Sequence, residues 1–139
     1  MQAATQALPS PRAALWAGWI ISALAILFLI FDGVSKVLKL APAVEATVQL
    51  GYPESLVIGI GVIELVCLAI YIIPRTSILG AILLTGYLGG AIATNLRAGT
   101  PLFNVVFPII IGALIWGGIY LRDAQLRALV PLRGSRRRV

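Results

Sequence analysis

Residues 56–73 read LVIGIGVIELVCLAIYII, an unbroken apolar run with one ionisable residue, Glu64, near its middle. A helix crossing the hydrocarbon core of a bilayer needs about 20 mostly apolar residues, and this run has nearly that number. A charged residue at the helix centre carries an insertion penalty of ~2.5–3.5 kcal/mol. Twelve Leu, Ile and Val residues share the run with it. Each central one returns about 0.3–0.6 kcal/mol, so the span inserts in spite of Glu64. Similar stretches lie at 13–31, 77–96 and 102–121. The chain is therefore expected to be an all-α polytopic membrane protein, a bundle of four spanning helices.

Composition agrees. The 139 residues are 60% hydrophobic, with mean hydropathy +1.00, against roughly 45–50% apolar content in soluble domains. The spans predict one membrane domain at 13–122, between an N-terminal tail (1–12) and a basic C-terminal tail (123–139). The first apolar run exceeds the 7–15 residues of a signal-peptide core and reads as an uncleaved span.

The net charge of +6 is unevenly placed. Arg12, Arg75, Arg122, Arg127, Arg133, Arg136, Arg137 and Arg138 fall on the side of the termini and the 74–76 turn. Lys36, Lys39 and Arg97 fall on the other, with Asp32, Glu45 and Glu54. The positive-inside rule then puts both termini in the cytoplasm, and the basic charge reads as a topology signal with no nucleic-acid partner. Histidine is absent and Cys67 is the sole cysteine. That composition excludes imidazole haem ligation, an internal disulfide and a thiolate metal cluster. Cys67 reads as a small apolar filler.

Residues 32–54 form the longest connection. Val34, Val37, Leu38, Val44 and Val48 recur at helical spacing against Lys36, Lys39, Glu45 and Gln49. Pro42 can open a short helix, Gly51 can close it and Pro53 follows. A short amphipathic helix between spans one and two is expected, lying in the interface or folding over the bundle mouth as a lid. Ser10-Pro11 and Thr100-Pro101 look like helix starts, Thr76 like a cap and Gly99 like a stop. Pro108 should bend the fourth span. A short surface helix is expected over 124–130, before Pro131. Trp16, Trp19, Trp116, Tyr52 and Tyr120 suit interfacial belts.

Two rows of small residues mark the third span: Ala81, Thr85, Gly89 and Ala93, then Gly86, Gly90 and Thr94. The first span offers Ala14, Gly18 and Ser22. Such rows let backbones approach closely in lipid, within the bundle or between copies in a homo-oligomer. They suggest that the third helix is central, gripped from both sides.

Glu64 needs a partner, a proton or water. Thr85 and Tyr87 lie at mid-depth on the third span, and Asp32, Asn95, Arg97 and Asn104 near the outer helix ends. Together these residues outline a candidate polar pocket, or a path from an outer mouth down to Glu64. Intramembrane carboxyls are functional by default; the structural alternative is a protonated Glu64 hydrogen-bonded across helices.

Residues 31–55 (FDGVSKVLKLAPAVEATVQLGYPES), 61–99 (GVIELVCLAIYIIPRTSILGAILLTGYLGGAIATNLRAG) and 103–108 (FNVVFP) carry a further signal. In order and spacing, over roughly 20–125, the chain resembles the DoxX-like family of small bacterial membrane proteins. The resemblance implies a four-helix bundle in the bacterial cytoplasmic membrane. It also implies kinship with subunits of thiosulfate- or quinol-linked oxidoreductases and with partners of thiol-redox proteins. Glu64, within GVIELVC, matches the family pattern, whereas Asn95 stands where relatives often carry His.

With no nucleophile, metal site or cofactor motif evident, the expected role is non-enzymatic. The chain is read as an accessory or scaffold subunit of a membrane redox complex, offering a crevice for quinone or lipid. The alternative is a small proton- or cation-coupled carrier or channel using Glu64. A quinone-linked thiol oxidoreductase is disfavoured by the cysteine and histidine counts.

Overall fold

Residues 11–129 are described by the computed structural model. Expectations for Ser10, Val130, Pro131, the terminal arginines and the rest of 1–10 and 130–139 lie outside the described residues. In chain order the helices are α1 (Pro11–Val37), α2 (Ala41–Gln49), α3 (Val57–Ile72), α4 (Ser77–Ala98), α5 (Leu102–Arg122) and α6 (Ala124–Leu129). Single 3₁₀ turns at Glu54–Leu56 and Pro74–Thr76 lead into α3 and α4. Helices α1, α3, α4 and α5 are each long and apolar enough to cross a membrane. The all-α, four-span expectation holds, and the chain is a multi-pass membrane protein.

One buried stripe per helix builds the bundle. Val57, Gly61, Glu64, Leu68 and Tyr71 step by three and four along α3, the spacing that keeps one helix face on its neighbours. Gly18, Ser22, Ala25, Leu29 and Gly33 do the same on α1. Ser77, Gly80, Ala81, Leu84 and Leu88 serve α4, and Ile111, Ile115 and Gly118 serve α5. Leu27, Ile63, Leu79 and Ile109 point away and stay more than half exposed, as lipid solvates apolar side chains at no cost. The helices close a ring in which α1 packs on α3 and α5, and α4 packs on the same two. The third span is thus no more central than the first.

The small residues of α4 act differently from the expectation. Ala81 is fully buried, but Thr85, Gly89 and Ala93 are exposed, as are Gly86 and Gly90. A Cβ built on Gly86, Gly89 or Gly90 would meet nothing within 4 Å. Close approach occurs elsewhere. At Gly61 an added Cβ would lie 2.7 Å from Lys36 Cβ and 2.9 Å from the Gly33 carbonyl, so α1 and α3 touch backbone to backbone. At Gly80 it would run into the Tyr71 backbone. Gly80→Ala should therefore cost about 1–3 kcal/mol through overpacking, and Gly89→Ala should leave stability unchanged or slightly raised through helix propensity. Thermal unfolding of the two variants in one detergent checks this; equal midpoints would place the α3–α4 contact wrongly.

The first helix runs past Phe31 to Val37, so the Asp32-Gly33 boundary read from the sequence is too early. The apolar stripe continues unbroken through Gly33, and Asp32 and Lys36, one turn apart, pair along the helix. Lys39, at φ 52°, ends it, with backbone bonds from Lys39 N to Lys36 O and from Leu40 N to Ser35 O. Helix α2 follows, with Pro42 in its first turn and Gly51 at φ 91° just beyond its end.

Hydroxyls near the turns serve the preceding helix more than the following one. Thr76 makes no cap to α4 and donates to Ile70 O at 2.7 Å. Thr100 bonds Asn95 O at 3.2 Å and Asn95 Oδ1 at 2.8 Å, alongside Gly99 at φ 68°. Terminal carbonyls left bare in or near lipid are costly, which explains why the hydroxyls go there. Helix α5 continues through Pro108. The expected surface helix at 124–130 is α6, and its Leu126 is buried against the core.

Candidate functional site

Leu29, Leu68, Tyr71, Leu84 and Ile115 are almost fully buried in one half of the bundle. The other half holds a cavity of about 530 Å³ bounded by α1, α2, α3, α4 and α5. Helix α2 roofs it through Ala43, Ala46, Thr47 and Leu50. Two bonds hold the roof: Arg97 donates to Leu50 O at 2.9 Å, and Tyr52 and Thr94 share a hydroxyl bond of 3.1 Å. The exposed Lys39–Glu54 pair at 3.2 Å adds little, since such pairs are worth ~0–1 kcal/mol.

Gly86 and Gly90 line the cavity, which explains why nothing touches them: they make room instead of contact. Phe107 stands on the same wall, edge to face with Phe28 at 4.7 Å between ring centroids. Pro108 has no N–H to give the Asn104 carbonyl, and both residues line the space.

Lys36 is the residue that sequence reasoning missed. The sequence pattern places it in an outer loop, yet its ammonium sits inside the bundle and makes three bonds. It donates to Glu64 Oε2 at 2.9 Å, to the Tyr87 hydroxyl at 2.9 Å and to Asp32 Oδ2. Tyr87 donates in turn to Glu64 Oε2 at 2.9 Å. All three ammonium protons are therefore in use. The Glu64 side chain is fully buried, while Asp32 is about one-third exposed and faces the cavity with Lys36 and Tyr87. Glu64 Oε1 is buried without a hydrogen-bond partner among the described residues. A usable signal was present. The stripe Gly18, Ser22, Ala25, Leu29, continued by three or four, reaches Asp32 or Gly33 and then Lys36.

The remaining expected members divide. Asn95 and Asn104 line the cavity, although Asn95 also spends its amide on Ala91 O at 2.8 Å. Thr85 does not join Glu64: it bonds Ala81 O at 2.7 Å and accepts from Trp116 Nε1 at 2.7 Å, on another face of α4. Arg97 clamps the roof and does not line the space, because the end of α2 presents a carbonyl that needs a donor.

A model of the DoxX-like family matches residues 20–118. The chain belongs to the DoxX-like family. The match spans the whole cluster, from Asp32 and Lys36 through Glu64 to Tyr87, and all the cavity walls. No curated protein and no solved structure matches the chain.

Chemically, the cluster is a buried cation between two carboxylates, with one phenol bridging. Formally it carries one more negative than positive charge, so it disfavours anions. A neutral amphiphile bearing hydroxyl or carbonyl groups can meet acceptors at Asp32, donors at Asn104, and apolar walls at Phe103 and Phe107.

Proposed function

We propose that this DoxX-like protein is a non-enzymatic accessory subunit of a redox complex in the bacterial cytoplasmic membrane. Its contribution is a crevice for a quinone-class amphiphile. The observation that carries this reading is the cavity of about 530 Å³ under α2, with Asp32, Lys36, Tyr87, Asn95 and Asn104 set among apolar walls, within the size range of ligand sites. Ile60 and Phe107 offer apolar walls to a flat ring; a quinol hydroxyl can donate to Asp32, and a quinone carbonyl can accept from the Asn104 amide. Bound quinone supplies two-electron redox chemistry; the chain's part is to bind and orient the head group and to keep bulk water from it.

Lys36 supports binding over catalysis, because its three donors are already committed to neighbouring side chains. The charge asymmetry supports cytoplasmic termini. With Lys36 inside the bundle, fewer basic residues remain on the outer face. Mass spectrometry after mild detergent extraction from native membranes tests the proposal. The expected result is near-stoichiometric quinone together with a partner subunit. Recovery of the chain with neither would overturn it.

The unpartnered Glu64 Oε1 also favours a second reading, a proton-coupled carrier. The occupied Oε2 counts against a cation site, as Lys36 already fills the place of the cation. Glu64→Gln abolishing proton-coupled flux in liposomes would support the carrier; wild-type protein without flux would remove it.

A further inference from the structure

Arg122, in the last turn of α5, occupies the end of the bundle away from the Lys36 cluster. Its Nε donates to Gly118 O at 3.2 Å and one terminal nitrogen donates to Ser22 Oγ at 2.9 Å. Its guanidinium carbon lies 4.2 Å from the centre of the Trp19 ring. Ser22 Oγ is bonded to the Tyr71 hydroxyl at 2.9 Å, and that hydroxyl donates to Ile115 O at 3.0 Å. The guanidinium is thus fixed by α1 and α5 directly and by α3 through Tyr71.

No ion pair joins Arg122 to a carboxylate among the described residues. Among the described residues, ion pairs join only Lys36 to Asp32 and Glu64, and Lys39 to Glu54. The adjacent Asp123 is turned to other use: its Oδ1 accepts from Gln125 N at 2.9 Å and Leu126 N at 3.1 Å, capping α6. Arg127 is spent on the α5 carbonyls of Tyr120 at 3.2 Å and Leu121 at 2.6 Å.

Beside Arg122 lies a cavity of about 300 Å³, whose lining includes Leu15, Trp19, Ser77, Asp123 and Gln125. We infer that this cavity binds a phosphate group, with Arg122 as the charge that holds it and Gln125 as a neutral donor. The Ser77 hydroxyl is spent on Tyr71 O at 2.8 Å, and Asp123, whose Oδ1 caps α6, is the carboxylate the phosphate must avoid on that lining. A guanidinium pinned through two of its nitrogens presents the third in a fixed direction, and its planar fork matches phosphate oxygens. The phosphate comes from an anionic phospholipid head group or from free phosphate. Leu15 and Trp19 are 43% and 50% exposed, so an acyl chain could continue from the cavity along α1. Arg122 lies beyond residue 118, where the family match ends, and the inference is independent of the quinone reading.

The test is thermal unfolding of the full chain in a neutral detergent, with added phosphatidylglycerol, phosphatidylcholine or inorganic phosphate. Phosphatidylglycerol should raise the wild-type midpoint and phosphatidylcholine should not. Arg122→Gln should lose the response. Arg122→Lys should keep it at a roughly fivefold higher concentration, a point charge without the fork. Stabilisation by inorganic phosphate alone assigns the site to a free anion; a response confined to phosphatidylglycerol assigns it to a head group. Equal responses to the two lipids with none to phosphate, or an undiminished response in Arg122→Gln, overturns the inference. If Arg122→Gln does not fold, the Arg122→Lys titration decides, and an unshifted curve counts against the site.

Discussion

Lys36→Met destabilises the bundle by about 3–5 kcal/mol, the expected cost of removing one partner from a buried ion pair. The methionine stem can occupy the lysine path beside Gly61, so packing is largely kept and the loss is electrostatic. What remains is a Glu64 carboxyl with no surface exposure and one bond, from Tyr87. Asp32 contributes less, since it is about one-third exposed and solvent screening weakens its share. Glu64→Gln is milder, because Lys36 keeps Asp32 and Tyr87. The double variant Lys36→Met with Glu64→Gln should regain much of the loss, as it leaves no fully buried unpaired charge; Asp32 stays unpaired but is about one-third exposed. Thermal or denaturant unfolding of the four proteins in one detergent measures the cycle. A single Lys36→Met as stable as wild type would mean that the lysine is not held inside the bundle.

Gly90→Phe is expected to weaken quinone binding strongly while leaving the fold intact. Gly90 lines the larger cavity, and no atom lies within 4 Å of where its Cβ would be. A phenyl ring there enters space that the bundle does not otherwise fill, and the helix gains propensity on losing a glycine. Affinity for a short-chain quinone should fall on the order of a hundredfold, the equivalent of ~2.7 kcal/mol. The unfolding midpoint should not drop. The comparison that matters is with Gly89→Phe, one residue along α4, which does not line the cavity and should bind as wild type does. Undiminished binding in Gly90→Phe would show that the ligand sits elsewhere, and equal losses in both variants would point to a general effect on α4.

The spans were legible because lipid imposes a simple rule on composition. A run such as 56–73 can satisfy its backbone and its side chains in a membrane only as a helix. Helix ends with a backbone signal were legible too: Gly99 and Gly51 take positive φ where the sequence suggested stops. The end of α1 was not. Asp32 looked like the first residue at the membrane surface, but a charge can stay inside a bundle when partners from other helices meet it. Asp32 and Lys36 show the local half of that arrangement, one turn apart. Glu64 and Tyr87 complete it from α3 and α4, and no local pattern states that those helices bring them to the same depth. The rows on α4 misled for a related reason. Small residues permit close approach, but Gly86 and Gly90 use the same smallness to leave a cavity.

Length, hydropathy and residue order by themselves determined the solvent, the number of spans, the family and the burial of one carboxyl. The solvent and the spans follow from transfer free energies summed along the chain, which depend on composition within a window and not on neighbours in space; the family follows from residue order. Only the tertiary structure decided which residues answer Glu64, which face of α4 is open, and that α2 closes over the cavity. Those outcomes depend on the relative depth and rotation of five helices. Depth and rotation are set by contacts between helices, such as Gly61 against Gly33 and, across the α3–α4 hairpin, Gly80 against Tyr71.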